Sequence, residues 1–201
     1  MATGETQARI LDTAITLFNE NGVKAISVNR IAEAAGVSRG NLHYHFPTKE
    51  TLVAAIFDRM AREMEEAGAR DLETPTLAHL RIMFERYAGQ VWQYRFLFRE
   101  LTALILRDSV LRRRYHAHRQ RRLAELEQFF EELISHGLMA RPDPPVTVNG
   151  LVTLSWIVCD NWLAFLEAGG EAITSHRIDD GFALVLSLFQ PHLKTGDDGH
   201  S

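Results

Sequence analysis

The sequence contains little of what secreted and membrane proteins need. Cys159 is the only cysteine among 201 residues, so neither an intramolecular disulfide nor a cysteine-based zinc site can form. The longest apolar run, residues 151–159, is far shorter than the roughly 20 residues that span a bilayer. Residues 1–9 are polar, so we expect no signal peptide. These absences predict a soluble, cytoplasmic protein that makes no membrane contact.

Recognisable catalytic and metal-binding patterns are also missing. His43 and His45 are spaced i, i+2, as are His116 and His118, so neither pair faces one metal ion on a helix. There is no phosphate-binding loop, no G-x-S-x-G elbow and no His/Glu/Cys set with zinc-ligand spacing. The sequence therefore predicts no enzyme activity, no metal and no cofactor.

The chain has no overall excess of positive charge. Its formal net charge is −4, with 46% hydrophobic and 24% charged residues, which is typical of a folded soluble protein. A global charge of this sign argues mildly against nucleic-acid binding, so any such function must rest on local charge.

Helical periodicity dominates the whole chain, and strand patterns are hard to find. Apolar residues recur at i, i+4, i+7 and i+8 in the first segment, which Asn21 and Gly22 end. Longer helical patterns follow near residues 49–68, 76–92, 96–106, 109–135, 146–168 and 175–193. We predict an all-α protein of about nine helices.

Residues 27–52 have the pattern of a helix-turn-helix. Ser27 can cap a short helix that Gly36 ends, and Ser38 can cap a second, residues 39–45, before Pro47 stops it. The apolar residues that can pack the pair together are Val28, Ile31, Ala32, Ala35, Val37 and Leu42.

The second of these helices is rich in hydrogen-bond donors and has no acidic residue. Arg39 can contact guanine and Asn41 adenine in a major groove, whereas Tyr44 and Lys49 suit phosphate. Lys49 also lies in the first turn of the next helix, whose amide groups favour an anion. The candidate DNA-binding residues are Ser27, Ser38, Arg39, Gly40, Asn41, His43, Tyr44, His45 and Lys49.

This stretch resembles the N-terminal domain of the TetR/AcrR family of bacterial transcriptional regulators. The matching positions are Ile31–Ser38, Gly40, Leu42, His45–Phe46 and Lys49–Leu52, and the resemblance extends over about residues 7–57. His43 departs from the family pattern, which usually has Tyr there. The resemblance implies a DNA-binding domain at 1–49 with three helices, and a larger helical effector-binding and dimerisation domain at 50–201.

The two C-terminal segments, 146–168 and 175–193, are apolar around more of their circumference than one core face requires. They are therefore predicted to form a four-helix interface in a homodimer, although both could instead lie at the centre of a monomer. The predicted interface residues are Leu151, Leu154, Val158, Trp162, Phe182, Val185, Leu186 and Phe189.

An effector pocket is expected among aromatic and methionine residues of the C-terminal domain, a residue type that also builds ordinary core. Asp160 and Asn161 interrupt an apolar helix, so they must bond either a ligand or water, or the second protomer. The candidate ligand-binding residues are Met60, Met83, Phe84, Tyr87, Phe96, Leu104, Tyr115, Trp156, Asp160 and Asn161. Such a pocket suits an apolar or aromatic molecule.

Residues 107–122 contain seven arginines and one aspartate. A solvated helix face, paired in part with Glu125, Glu127, Glu131 and Glu132, is the favoured interpretation. A contact with an anionic ligand, or a second DNA contact, is the alternative.

The resemblance implies a sequence-specific transcriptional repressor that a small-molecule effector releases from a palindromic operator in double-stranded DNA. The alternatives are a transcriptional activator, or a protein-binding helical dimer that no longer binds DNA.

Overall fold

The computed structural model describes residues 2–68 and 76–194. Within these two ranges the chain forms nine α-helices and no β-strand, which confirms the all-α prediction. The helices are α1 (Ala2–Asn21), α2 (Val28–Ala34), α3 (Arg39–His45), α4 (Lys49–Gly68), α5 (Leu77–Gln93), α6 (Arg95–Arg107), α7 (Ser109–Ser135), α8 (Val148–Ala168) and α9 (Ser175–Phe189).

The first three helices pack around a small apolar centre. Gly22 ends α1 with φ 79°, a conformation that a side chain would resist. The predicted apolar stripe of α1 faces inward, since Ile10, Ala14 and Phe18 are fully buried. Their neighbours in this centre include Ile31, Ala32, Ala35, Leu42 and Phe46.

The core continues without a gap from α1–α4 into the C-terminal helices. Phe96 and Leu97 of α6, Leu163 and Leu166 of α8 and Ile178 of α9 belong to the same buried cluster as the N-terminal residues. A second cluster lies between α7, α8 and α9. The domain boundary after residue 49 therefore coincides with no break in the core, and it stays a prediction.

Two helix boundaries differ from those predicted. Helix α8 begins at Val148 rather than residue 146, because the Thr147 hydroxyl caps it and accepts a hydrogen bond from the Gly150 N–H at 3.0 Å. Helix α9 ends at Phe189, and residues 190–192 form a 3₁₀ turn that contains Pro191, which lacks the N–H that an α-helix would use. The chain then pairs with the segment that follows α7 through one antiparallel bridge, Met139 to Leu193.

Candidate functional site

Helices α2 and α3 form the predicted helix-turn-helix, and their own residues set its shape. The Ser27 hydroxyl caps α2 by accepting from the Arg30 N–H at 3.2 Å, and Ser38 caps α3 by accepting from the Asn41 N–H at 3.1 Å. Gly36 lies between the helices with φ 63°. The two predicted DNA-binding serines therefore each use one acceptor position as a helix cap, and the O–H group and the second lone pair remain for an outside partner.

The outward face of α3 has no partner inside the protomer. Arg39, Asn41, His43 and Tyr44 are exposed, and Tyr44 has 77% of its surface accessible. Among the described residues, none of these four side chains makes an ion pair or a hydrogen bond with another side chain. His45 is half-buried and lies edge-on to Tyr44, with ring centroids 5.3 Å apart. The fold thus leaves this row of donors for another molecule.

Gly40 lies in the same face of α3, where it presents no side chain. A Cβ added at Gly40 would meet nothing within 4 Å, so intramolecular packing does not require glycine there. Glycine in a helix costs about 1 kcal/mol relative to alanine. Packing therefore does not explain glycine at position 40. Its lack of a side chain instead allows the backbone of α3 to approach a ligand closely.

The structure uses Lys49 differently from the prediction. Its ammonium group donates to the backbone carbonyls of Val23 (2.8 Å) and Ile26 (2.9 Å), so two of its three N–H donors are committed. Lys49 therefore closes the loop between α1 and α2. The expected phosphate contact would have to share this side chain with the loop.

Two adjacent cavities lie inside the C-terminal helices. One, of about 20 Å³, is bounded by α4–α8; the other, of about 50 Å³, is bounded by α5, α7, α8 and α9. Tyr87 and Trp156 line both cavities and separate them. The structure brings to these walls seven of the candidate ligand-binding residues: Met60, Met83, Phe84, Tyr87, Tyr115, Trp156 and Asp160.

The other three candidates lie elsewhere. Phe96 is fully buried against Phe18, with ring centroids 5.2 Å apart, because α6 packs on α1. Leu104 lines a surface groove beside Lys24 and Lys49. Asn161 is exposed and donates to the Ile157 carbonyl one turn earlier in α8 (2.8 Å). None of the three faces either cavity.

Asp160 finds its partners within the protomer. Its Oδ2 accepts hydrogen bonds from the Tyr115 hydroxyl and from the Trp156 indole N–H (2.8 Å), so neither a ligand nor a second copy is needed to satisfy that oxygen. Burial raises the pKa of Asp160, and the two hydrogen bonds oppose that shift. The prediction that Asp160 must bond outside its own protomer is wrong.

Residues that the sequence interpretation missed also line the cavities. His118 lies in the smaller cavity, and Arg122, Ser155 and Cys159 lie in the larger one. Burial raises the pKa of the Cys159 thiol to about 12. The sequence did contain a signal for His118 and Arg122, because both continue the i, i+4, i+7, i+11 stripe that begins at Leu111.

The arginine-rich part of α7 pairs mainly with α4. Arg114 bonds Asp58 and Arg121 bonds Glu65, whereas only Arg122 pairs with a following glutamate, Glu125 (2.6 Å). The arginines of the solvated face therefore pair mainly with acidic residues of α4, and less with glutamates of α7 itself. Arg112 and Arg113 remain exposed.

The apolar residues of α8 and α9 divide between core and surface differently from the prediction. Leu151, Phe182, Val185 and Phe189 are buried inside the protomer, so they cannot form a dimer interface as the chain is folded. Val158, Leu186 and Trp162 are half-buried, and Trp162 covers Gly181, where a Cβ would lie 2.6 Å from the indole. Of the predicted set, only Leu154 is exposed, at 48%.

The outward face of α8 is nevertheless apolar. Leu154, Ile157 and Phe165 recur on one side of the helix with 48%, 49% and 64% of their surfaces exposed, and Leu184 of α9 is also exposed. Among the described helices, α8 alone is long and apolar enough to cross a membrane, by length and composition only. Its inner face is packed in the second core cluster, as in the core helix of a soluble protein.

Polar contacts at the corner between α5 and α6 join the first helices to the C-terminal ones. The buried Asn19 side chain donates to the Gln93 carbonyl (2.8 Å) and accepts from the Phe96 N–H (3.0 Å). Glu100 of α6 accepts from the Val23 N–H at 2.9 Å. Helix α6 is thus held to the C-terminal end of α1 and to the turn that follows it.

A donor-rich recognition helix joined to a larger helical domain defines a helix-turn-helix DNA-binding regulator. Residues 10–56 match the family described as bacterial regulatory proteins, tetR family, and residues 58–198 match the one described as bacterial transcriptional repressor. The chain belongs to the TetR family. It is a DNA-binding transcriptional regulator of the repressor type and not an enzyme.

Individual relatives agree with this assignment. The repressor AcnR of Corynebacterium diphtheriae is 30% identical over 85% of this chain and 86% of its own. The regulator AcrR of Shigella flexneri is 41% identical over 34% of this chain, which corresponds to 30% of AcrR. A TetR-family regulator from Marinobacter aquaeolei has a TM-score of 0.82 at 29% identity, over 94% of this chain and 91% of that one. Regulators of this family are cytoplasmic, bind DNA operators and effector ligands, and form dimers.

Proposed function

We propose that this protein binds a palindromic operator as a homodimer, represses transcription there, and is released when a small, mainly apolar molecule binds its C-terminal domain. The observation that carries the proposal is the outward face of α3, where Arg39, Asn41, His43 and Tyr44 are exposed donors whose side chains have no hydrogen-bond or ion-pair partner among the described residues. Arginine and asparagine read base edges in a major groove, and tyrosine suits phosphate.

The apolar face of α8 supports the dimer. Leu154, Ile157 and Phe165 form an exposed stripe that only Asn161 interrupts, and burying each of these half-exposed side chains contributes about half of the roughly 1.5–3 kcal/mol of full burial. A two-fold axis through this face would let two α3 helices reach half-sites about 34 Å apart, or a multiple of that distance. The interface proposed here therefore uses the outer residues of α8 with Leu184, in place of the buried residues that the sequence suggested.

The inner cavities and the α6 contacts support release by an effector. Leu97 and Leu101 of α6 line the smaller cavity, while Glu100 on the same helix bonds the Val23 N–H. A molecule that enlarges the cavity displaces α6, and α6 carries the helix-turn-helix with it. DNA and effector then weaken each other's binding by the same factor.

The test is operator binding by the full-length protein. Genomic fragments are selected on the purified protein, and the recovered site is titrated by fluorescence anisotropy against increasing salt and scrambled competitor DNA. We expect tight binding by a dimer to a site with two-fold symmetry, and the same assay then screens compounds for release. Binding that the scrambled DNA abolishes equally well would contradict a sequence-specific regulator.

A further inference from the structure

One buried polar atom in the C-terminal domain has no partner. Among side-chain nitrogen and oxygen atoms of the described residues, only Nδ1 of His118 is both shielded from solvent and without a hydrogen bond. His118 is 4% exposed and lies on the inner stripe of α7. Buried polar groups are nearly always satisfied, so an exception of this kind requires an explanation.

His118 forms part of the wall of the smaller cavity. Its ring lies edge-on to Phe57 at 5.8 Å and tilted against Trp156 at 6.3 Å. Two other polar groups of this wall, Tyr115 and Asp160, are bonded to each other and to the Trp156 indole. Nδ1 of His118 is the one side-chain nitrogen or oxygen of the described residues that is both shielded from solvent and unbonded, and an apolar residue at this position would fill the space without that cost.

The size of the smaller cavity suits a single polar group. Its volume of about 20 Å³ exceeds the roughly 10–15 Å³ that a water-sized group occupies by the same measure. The larger cavity begins on the far side of Tyr87 and Trp156, and its walls include Met83, Phe84 and Phe130. Two of its polar members are engaged, since Arg122 pairs with Glu125 and the Ser155 hydroxyl donates to the Val152 carbonyl. A ligand with a polar end at His118 and an apolar body that extends towards the larger cavity fits this arrangement.

The charges around the cavity disfavour an ionic ligand of either sign. Burial, reinforced by Arg122 and Arg121, lowers the pKa of His118 to about 4, so the imidazole is neutral near pH 7 and offers no charge to an anion. An anion would also share the wall with the buried carboxyl of Asp160, whose pKa burial raises, whereas Arg119, Arg121 and Arg122 along α7 repel a cation. A neutral imidazole nitrogen is matched best by a hydroxyl, which can donate or accept.

We propose that His118 is the specificity-determining residue of the effector site, and that it selects an uncharged, mainly apolar molecule with one hydroxyl group at its end. The imidazole of His118, whose Nδ1 is shielded from solvent in this structure, turns to bond the hydroxyl through Nδ1, and the apolar part displaces Tyr87 or Trp156 to enter the larger cavity. This inference rests on the proposed function of the C-terminal domain as an effector-binding domain.

The test compares four probes that share one ring and differ at one end: 4-ethylphenol, ethylbenzene, 4-ethylbenzoate and 4-ethylbenzylammonium. Dissociation constants for the full-length dimer are measured by isothermal titration calorimetry at pH 7. We expect 4-ethylphenol to bind at least about fivefold more tightly than ethylbenzene, which equals about 1 kcal/mol, a typical hydrogen bond. Tighter binding of either charged probe, or no binding of any probe, would overturn the proposal.

Two variants and a control assign the preference to this side chain. His118→Phe should bind 4-ethylphenol and ethylbenzene equally, and His118→Gln should restore part of the preference by supplying an amide. His116→Phe alters an exposed histidine two residues away on α7 and should behave as wild type. A preference for the phenol that persists in His118→Phe would show that another group binds the hydroxyl.

A direct measurement on the imidazole nitrogen distinguishes the loss of a hydrogen bond from a change in side-chain packing. In ¹⁵N-histidine-labelled protein, 4-ethylphenol should shift the Nδ1 resonance that is missing from His118→Phe, and ethylbenzene should not. An unshifted resonance at saturating 4-ethylphenol would also refute the hydrogen bond. Operator binding is measured separately, so a protein that binds 4-ethylphenol as expected but ignores DNA would fail as a regulator while this site stands.

Discussion

The outward faces of α3 and α8 are both left uncovered by the protomer, yet their chemistry is opposite. The face of α3 carries Arg39, Asn41 and Tyr44, all exposed hydrogen-bond donors. The face of α8 carries Leu154, Ile157 and Phe165, which have no polar atom beyond the backbone. Water solvates the first face well and the second poorly.

The difference indicates two kinds of partner. A donor-rich, acid-free face is complementary to a polyanion such as duplex DNA, and its affinity falls steeply with salt. An apolar face gains by being removed from water, and it favours a second copy of the same helix across a two-fold axis. The four predictions below test whether each face serves only its own partner.

The largest effect is expected from charges placed in the apolar face. The double variant Ile157→Glu, Phe165→Glu should raise the dimer dissociation constant at least about 100-fold, since each charge must be desolvated on association. Operator affinity should fall with it, because a monomer reads one half-site. Analytical ultracentrifugation measures the first quantity and anisotropy the second.

The control for that variant is Leu106→Glu, which alters an exposed leucine on α6 away from the α8 face. It should leave both constants unchanged. An intact dimer in the Ile157→Glu, Phe165→Glu protein would place the interface elsewhere.

Removal of donors from α3 should have the next largest effect, and on DNA alone. We expect Arg39→Ala and Tyr44→Ala each to reduce operator affinity about 10- to 100-fold, which corresponds to the roughly 1–3 kcal/mol of a good base or phosphate contact. Dimerisation should be unaffected. Arg81→Ala, on the exposed side of α5, is the matched control; an equal loss there would mean that general charge, and not this face, binds DNA.

Gly40→Ala should weaken operator binding by a smaller factor, about 5- to 10-fold. The added methyl group meets no atom of the protein, so the melting temperature should stay the same or rise by an amount equivalent to about 1 kcal/mol of helix propensity. Thermal unfolding and anisotropy are measured on the same preparation. Unchanged operator affinity would show that DNA does not approach α3 closely at this point.

The smallest effect on DNA is expected from Lys49→Met. Because the Lys49 ammonium bonds two loop carbonyls, its loss should reduce the free energy of unfolding by about 1–3 kcal/mol. Operator affinity per folded dimer should change less than about threefold. A large loss of affinity in a protein of unchanged stability would restore the phosphate contact that the sequence suggested.

The sequence predicted the helix-turn-helix well because its signals are local. Ser27 and Ser38 lie where caps are needed, and Gly36 lies where the turn requires positive φ. Each of these features acts over three or four residues, so a window of the sequence contains the whole cause. The helix order followed from periodicity for the same reason.

The dimer face was predicted less well because periodicity alone does not decide which side of an apolar helix faces the core. Val185 and Phe189 match an interface pattern as well as Leu154 does, but they pack against Phe130 and its neighbours in the protomer. Tyr115, which bonds Asp160, and the two carbonyls that Lys49 bonds likewise lie 45 and 23–26 residues away in the chain, beyond the reach of any local pattern. Tertiary packing decided all of these cases.

The amide of Asn19 has a consequence for how a signal would travel. Its N–H donates to the carbonyl of the last residue of α5, and its oxygen accepts from an N–H near the start of α6. The two hydrogen bonds together therefore depend on the angle between those two helices. A change in that angle must either break one of the two bonds or rotate α1 to keep both. The two bonds of this amide thus couple the α5–α6 corner directly to α1, the helix that precedes the helix-turn-helix.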